Sequence, residues 1–344
     1  MRDWGVLTLP CILSPSAKAD RRAVLGLFTG LALAGCMPPR ETHLIVGSSA
    51  GGGNDDLARL FAKTLLRQTS ERLTVENEGK AGGKLALDHL AASPGDGTTL
   101  GLLAPSFLYR MLQKEVGASW SLSSFGWIGG VSAERRVLMV NAGSGIRTLD
   151  DLRNRKTPVT LAASSVASPN YIEPLIINQL LGTRLKPVPG YSGGARTLAV
   201  MSGEVDGMVT GFDSIGPLLE SPGSHLLLRL NSLELPGQAP VPTLASLAKG
   251  PDAAALLDLI ETSARIGQVF ALPPGPKTEA LARWTQRFHA VIEDPDFRRE
   301  ASQRGMGLEA TTGREIATAL ARLSNPTGPT LKALSRVMTK GRAG

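Results

Sequence analysis

One pattern constrains this chain more than any other: short apolar runs give way to loops of glycine and serine, and each loop leads into a helix-periodic segment. Residues 43–47 (HLIVG) predict a buried strand and residues 48–53 (SSAGGG) a loop. Leu57, Leu60, Phe61 and Leu65 then fall on one face of a helix. Asn54 is the expected N-cap, with Asp55 and Asp56 in the first turn, where acids are favoured. The unit recurs with a strand over 73–77, a loop over 79–83, a helix carrying Leu85, Leu87, Leu90 and Ala91, and a third strand over 98–104. Further on, residues 137–140, 159–163 and 205–209 read as strands and 186–189 as an extended piece. Residues 172–180, 278–292 and 314–323 read as helices. Strand, glycine loop and helix in alternation predict a parallel sheet with helices on its faces. No period of 20 to 50 residues recurs, which excludes a solenoid. At 344 residues the chain can bury two cores, and a second unit is expected to begin near Asn141.

The N-terminus reads as an address. Arg21 and Arg22 precede an uncharged stretch over 23–34 (AVLGLFTGLALA). A bilayer-spanning helix needs about 20 apolar residues, so this one is too short to cross; a basic stretch, a short apolar core and small residues instead make an export signal over 1–35. It ends in Leu33-Ala34-Gly35-Cys36, which resembles the lipobox of bacterial lipoproteins. On that resemblance Cys36 is the mature N-terminus and carries a lipid anchor, followed by a tether over 36–41. Asp20-Arg21-Arg22-Ala23-Val24-Leu25 also resembles a twin-arginine signal. The expected location is the periplasm or cell envelope, at the membrane through Cys36. The only cysteines are Cys11 and Cys36, so the mature chain is expected to form no disulfide.

Composition narrows the chemistry. The net charge is +7, but the 37 basic residues are scattered and aromatics make up only 4%. Nucleic acid is therefore not an expected partner. Gly51-Gly52-Gly53 lacks the spacing of a dinucleotide fingerprint and no P-loop lysine follows, although Glu76 ends the second strand where a ribose-binding acid could stand. His43, His89, His225 and His289 show no metal-binding spacing, and neither a metal nor a cofactor is expected. Gly190-Tyr191-Ser192-Gly193-Gly194 matches GxSxG, with Asp206 or Asp213 and then His225 or His289 in the order a serine hydrolase would need. An exported hydrolase acting through Ser192 is thus the alternative function. Against it, Pro187 and Pro189 spoil the central strand that a nucleophile elbow follows, and no His-Gly-Gly loop precedes it. The glycine loops favour binding over catalysis. Unpaired backbone N–H groups at helix starts suit an anion, Ser48 and Ser49 add hydroxyls, and similar loops recur at Gly82-Gly83, Ser164-Ser165 and Ser192-Gly193-Gly194.

The order of these segments resembles one family. Leu44-Ile45-Val46-Gly47-Ser48-Ser49-Ala50-Gly51-Gly52-Gly53-Asn54-Asp55 is similar to the opening of the tripartite tricarboxylate transporter substrate-binding proteins, the Bug receptors. Val75-Glu76-Asn77, the Gly79 to Gly83 loop, Asp96-Gly97 with Thr99-Leu100, Val188-Pro189-Gly190-Tyr191, Gly203-Glu204-Val205-Asp206 and Asp294-Pro295-Asp296-Phe297 follow in the family's order. The resemblance implies a non-enzymatic, two-lobed receptor of the type II periplasmic-binding-protein fold, with two parallel or mixed sheets flanked by helices. Domain one would take 42–141 plus 267–344 and domain two 142–266, with hinges near Asn141 and Gly267. A small carboxylate would be gripped between the lobes and delivered to a permease of one small and one large membrane subunit. Carried over, the ligand contacts are Ser48, Ser49, Ala50, Gly51, Gly82 and Ser106 on domain one and Ser164, Ser165, Tyr191, Ser192 and Thr210 on domain two. Four positions depart from the family, the first being Gly47, where a proline is usual. Ser48 replaces a usual aromatic, Thr210 a usual aspartate, and Lys84 a usual neutral residue, which would add positive charge near the second loop. Losing the aspartate argues for a carboxylate without an ammonium group.

Overall fold

The computed structural model describes residues 41–79, 83–112, 121–131, 134–191, 193–220, 222–325 and 327–343. The expected export signal, Cys36, Gly82 and Ser192 lie outside the described residues. The first strand–loop–helix units form β1 (Thr42–Val46), α1 (Gly53–Thr69), β2 (Leu73–Asn77), α2 (Lys84–Ala92), β3 (Thr99–Leu103), α3 (Ser106–Leu112) and β4 (Gly126–Val131). β1 pairs in parallel with both β2 and β3. The chain then builds β5 (Arg136–Val140), α4 (Leu149–Asn154), β6 (Val159–Ala163), α5 (Pro169–Leu181), β7 (Leu185–Pro189), α6 (Ala195–Met201), β8 (Gly207–Gly211), α7 (Gly216–Leu219), β9 (His225–Arg229), α8 (Leu244–Leu247) and α9 (Ala253–Ile266). It closes with β10 (Gln268–Leu272), α10 (Thr278–Glu293), α11 (Pro295–Gln303), β11 (Ala310–Thr312), α12 (Gly313–Leu323) and α13 (Pro329–Ala343).

Two mixed sheets result, in the orders β11-β4-β10-β3-β1-β2 and β7-β6-β8-β5-β9. In each, parallel strands form one side and a strand arriving from the other sheet runs antiparallel: β10 lies between β3 and β4, and β5 between β8 and β9. Two crossings therefore join the sheets. They touch directly, with the Glu134 N–H donating to the Ala264 carbonyl at 2.9 Å and the Asn231 side-chain amide to the Glu134 carbonyl at 2.6 Å.

The first crossing lies between Val131 and Arg136, before β5, and not at Asn141 as expected, because residues 136–140 pair entirely within the second sheet. The C-terminal part of 267–344 also departs from the expected division. α13 buries Ala333, Leu334 and Val337 in a cluster with Ile172, Ile176, Leu256 and Ile260, so its apolar stripe is satisfied by α5 and α9. Arg336 on α13 fixes it further by pairing with the buried Asp252.

Several elements escaped the sequence reading for local reasons. β4 (GWIGGV) is fully buried, yet its glycines give it little strand propensity. They are there because helices press on the sheet: a Cβ on Gly129 would strike the Phe288 ring, and one on Gly130 the Ile266 carbonyl. Phe288 packs in turn at a tilt against Phe270, 5.5 Å between centroids, and Phe270 against Phe61 at 4.5 Å. At α1 the N-cap is Gly52, without a side-chain cap, and not Asn54. Among the described residues no helix is long and apolar enough to cross a membrane.

The Asp294-Pro295-Asp296-Phe297 segment has a physical explanation. Asp294 caps α11 by accepting from the Asp296 and Phe297 N–H groups at 3.0 Å, Pro295 occupies the first turn where its missing donor is harmless, and Phe297 is buried. The Phe297 N–H, together with Gln68 and Arg67 and against a counteracting desolvation, lowers the Asp294 carboxyl to about 2. Its folded value lies below its unfolded one, so its contribution is complete above about pH 4 and is lost as pH falls towards the folded value. Asp294→Ala should cost about 1 kcal/mol in urea melts at pH 7. The deficit should shrink when the melts are repeated near pH 2; a deficit independent of pH would contradict this role.

Candidate functional site

The loops that follow the parallel strands carry most of the residues expected to bind. In the first sheet the loop after β1 is held from three sides. The Asn77 side chain donates to the Ser48 carbonyl at 3.3 Å, the Glu78 N–H to the Val46 carbonyl at 2.9 Å, and the Gly47 N–H to the Leu102 carbonyl at 3.1 Å. Gly83, at φ +85°, lets the next loop come so close that a Cβ there would sit 2.7 Å from the Gly47 carbonyl. Two of the expected groups are engaged within the chain. The Gly51 N–H is not free for a ligand, because the buried Asp55 carboxylate folds back and accepts it at 2.9 Å. Burial alone would raise Asp55, but hydrogen bonds from Arg59, the Gly51 N–H and Asn77 hold it below the usual carboxylate range. Lys84 pairs with Asp88 one turn on, at 2.6 Å, which places its charge along α2.

In the second sheet Asn170 organises the loop after β6. Its side-chain carbonyl accepts from the Ser164 N–H and hydroxyl, each at 3.1 Å, and from Ser168. The sequence reading missed Asn170, whose only signal was its place in the first turn of a helix after a serine loop. Ser164 is thereby committed to structure. The Tyr191 hydroxyl is spent on Glu204 at 2.7 Å, and the buried Thr210 hydroxyl shares a hydrogen bond with Ser214 at 3.2 Å. Ser106 is half-buried, and Ser49 and Ala50 are exposed. Two hydroxyls remain: the Ser48 and Ser165 Oγ atoms are both cut off from solvent and bond to no described residue. Buried polar groups are nearly always paired, so these two are the conspicuous exceptions in the loops after β1 and β6.

The first unit meets the second at a buried charge cluster that sequence reasoning also missed. Tyr109 on α3, directly after β3, donates to Glu173 on α5 at 3.0 Å. Glu173 also accepts two bonds from Arg136 at 3.0 and 2.7 Å, and Arg136 reaches Glu134 in the crossing at 3.2 Å. Tyr109, Glu173 and Arg136 are all buried, and Arg136 opens β5 opposite Gly211, next to Thr210. Burial works against the Arg136 charge, but Glu173 and Glu134 outweigh it and hold the guanidinium above its ordinary pKa. Burial, then the Glu173 charge, pushes the Tyr109 hydroxyl well up, so it stays a donor.

Among the described residues, His225 and the two acids weighed for a hydrolase are placed or engaged elsewhere. β7, which leads to the GxSxG segment, is an edge strand, and His225 lies on β9 at the opposite edge of the same sheet. Asp206 is taken up by the Thr160 N–H and hydroxyl at 2.7 and 2.8 Å, and Asp213 pairs with Arg135. Glu76, weighed as a ribose-binding acid, pairs with His43 at 2.5 Å. No cluster of metal-binding side chains occurs among the described residues.

Two mixed sheets exchanging one antiparallel strand each, with polar loops at the ends of their parallel strands, define a solute-binding receptor and not an enzyme. Residues 57–335 match the profile described as TctC, tripartite tricarboxylate transporter family receptor, and the chain belongs to that family. Protein BugT of Bordetella pertussis is 26% identical over 247 residues, covering 65% of this chain and 73% of that protein. Among solved structures, a Rhodopseudomonas palustris protein with adipate superposes with a TM-score of 0.68 at 19% identity, over 89% of this chain and 99% of the other. MatC of the same organism, with bound malate, gives 0.64 at 20%, over 89% and 100%.

The cluster yields a ranking. Glu173→Leu leaves the buried Arg136 with Glu134 alone and should cost about 3–5 kcal/mol, whereas Tyr109→Phe removes a neutral hydroxyl that meets Glu173 and Ser263 and should cost less, about 1–2 kcal/mol. Urea denaturation of both variants checks the order, and equal losses would contradict it.

Proposed function

We propose that this chain is an exported receptor that captures a small carboxylate between the loops of its two sheets and passes it to a permease of one small and one large membrane subunit. The observation that carries the reading is the pair of buried, unpartnered hydroxyls, Ser48 after β1 and Ser165 after β6, one from each sheet. A carboxylate offers acceptors to both at once. The family membership supports it, as do two fold relatives that hold the dicarboxylates adipate and malate. Domain one would then comprise 42–131 with 267–328, and domain two 136–266 with 329–343, hinged at the paired crossings. Gly267, at φ +57°, sits in the second crossing where a backbone rotation is least hindered. We further propose that residues 1–35 direct export and that lipid on Cys36 holds the receptor at the membrane.

A thermal-shift screen against mono-, di- and tricarboxylates, amino acids and aromatic acids tests the ligand class. A ligand at about 100 times its Kd adds about 2.7 kcal/mol. At roughly 2–4 °C per kcal/mol that is a shift of several degrees, concentration-dependent and confined to carboxylates. A chain that shifts with none of them would contradict the reading. Cys36→Ser should move the protein from the membrane fraction to the soluble envelope fraction; unchanged fractionation would remove the lipid anchor.

A further inference from the structure

Arg196 stands at the second residue of α6, immediately after the glycine loop over 190–194. Its Nε is cut off from solvent and makes no hydrogen bond, and its guanidinium forms no ion pair with any described residue. Burial first, then the nearby Arg136 charge, lower its pKa, while Glu134 pulls the other way. Glu134 does not serve as its partner, since that carboxylate is already engaged with Arg136 at 3.2 Å. The contrast within one cluster is informative: Arg136 is covered by two carboxylates, and Arg196 beside it by none. A partly dehydrated cation without a counter-ion is unfavourable, and such a group persists where something outside the chain supplies the charge. A Cβ on Gly193, Gly194 or Gly211 would meet nothing within 4 Å, so the chain leaves space at these three glycines.

We propose that Arg196 is the counter-ion for a second acidic group on the ligand, so that the receptor prefers a short dicarboxylate to the corresponding monoacid. The proposal rests on the carboxylate-receptor reading above. One carboxylate is held at the Ser48 and Ser165 hydroxyls, and the other meets the planar guanidinium, whose donors match a carboxylate in pairs. Arginine gives this recognition a geometry that lysine cannot reproduce fully.

Titration calorimetry of the full chain with succinate, malate, glutarate and adipate, alongside butyrate and hexanoate, tests it in wild type, Arg196→Gln and Arg196→Lys. The expected result is a wild-type preference for a diacid of roughly ten- to hundredfold, lost in Arg196→Gln and partly kept in Arg196→Lys, with monoacid binding unchanged. Without ligand, Arg196→Gln should melt at or above the wild-type temperature, because an uncompensated charge has been removed. Wild-type binding of monoacids as tight as diacids, or a diacid preference that survives in Arg196→Gln, would overturn the role of Arg196 and leave the receptor reading standing. A lower melting temperature for ligand-free Arg196→Gln would also overturn it, by making Arg196 structural. Binding of none of the six acids by wild type would overturn the carboxylate reading itself.

Discussion

The buried contact of Arg136 with Glu173 lies within the unit of the second sheet, and the Tyr109 hydroxyl that Glu173 also accepts ties that contact to the first. Arg136 opens β5, the strand that has just crossed from the first sheet, while Glu173 sits on the helix after β6 and receives the Tyr109 hydroxyl from the helix after β3. Around it the apolar cores are continuous: Phe107, Leu108 and Trp127 of the first unit share one cluster with Leu138, Ile172 and Ile176 of the second. A charge pair in such surroundings contributes little net stability by itself, but losing either partner leaves an ion without solvent. Through Tyr109 the cluster therefore fixes where the two units meet more than how firmly they hold. It sets the ends of β3 and β6 side by side, and the polar loops follow from that.

The loops are built so that most of their polar atoms are used up internally. Asp55 takes the Gly51 amide, Asn77 the Ser48 carbonyl orientation, Asn170 the Ser164 donors and Glu204 the Tyr191 hydroxyl. This rigidity has a functional reading. A receptor that must hold a small anion gains affinity when its loops are ordered before the ligand arrives, since less freedom is lost on binding. The groups left over, Ser48, Ser165 and Arg196, are then few and spatially defined.

Much of this fold was legible in the sequence. The units over β1, β2, β3 and β6 combine apolar runs with glycine or serine loops and periodic helices, and those signals are local. What was not legible depended on partners distant in the chain. β4 looked too rich in glycine for a strand until Phe288 and Ile266 explained the missing side chains. α13 looked like an extension of the first unit until its apolar face met α5 and α9. The site divides the same way. Ser48 and Ser165 were visible as loop hydroxyls, but the commitment of Gly51, Ser164 and Tyr191 to internal bonds depends on side chains whose direction no spacing rule supplies. Arg196 and Arg136 looked like two more solvated arginines in a basic chain; only burial distinguishes them.

The central claim is that one small anion is held by both sheets at once. Amide hydrogen exchange of the loops after β1 and β6, with and without adipate, tests it most directly. The account predicts that protection rises together in the segments 48–53 and 164–168, with the same dependence on ligand concentration. Protection in one loop alone, or in neither while the protein is demonstrably ligand-bound, would contradict it.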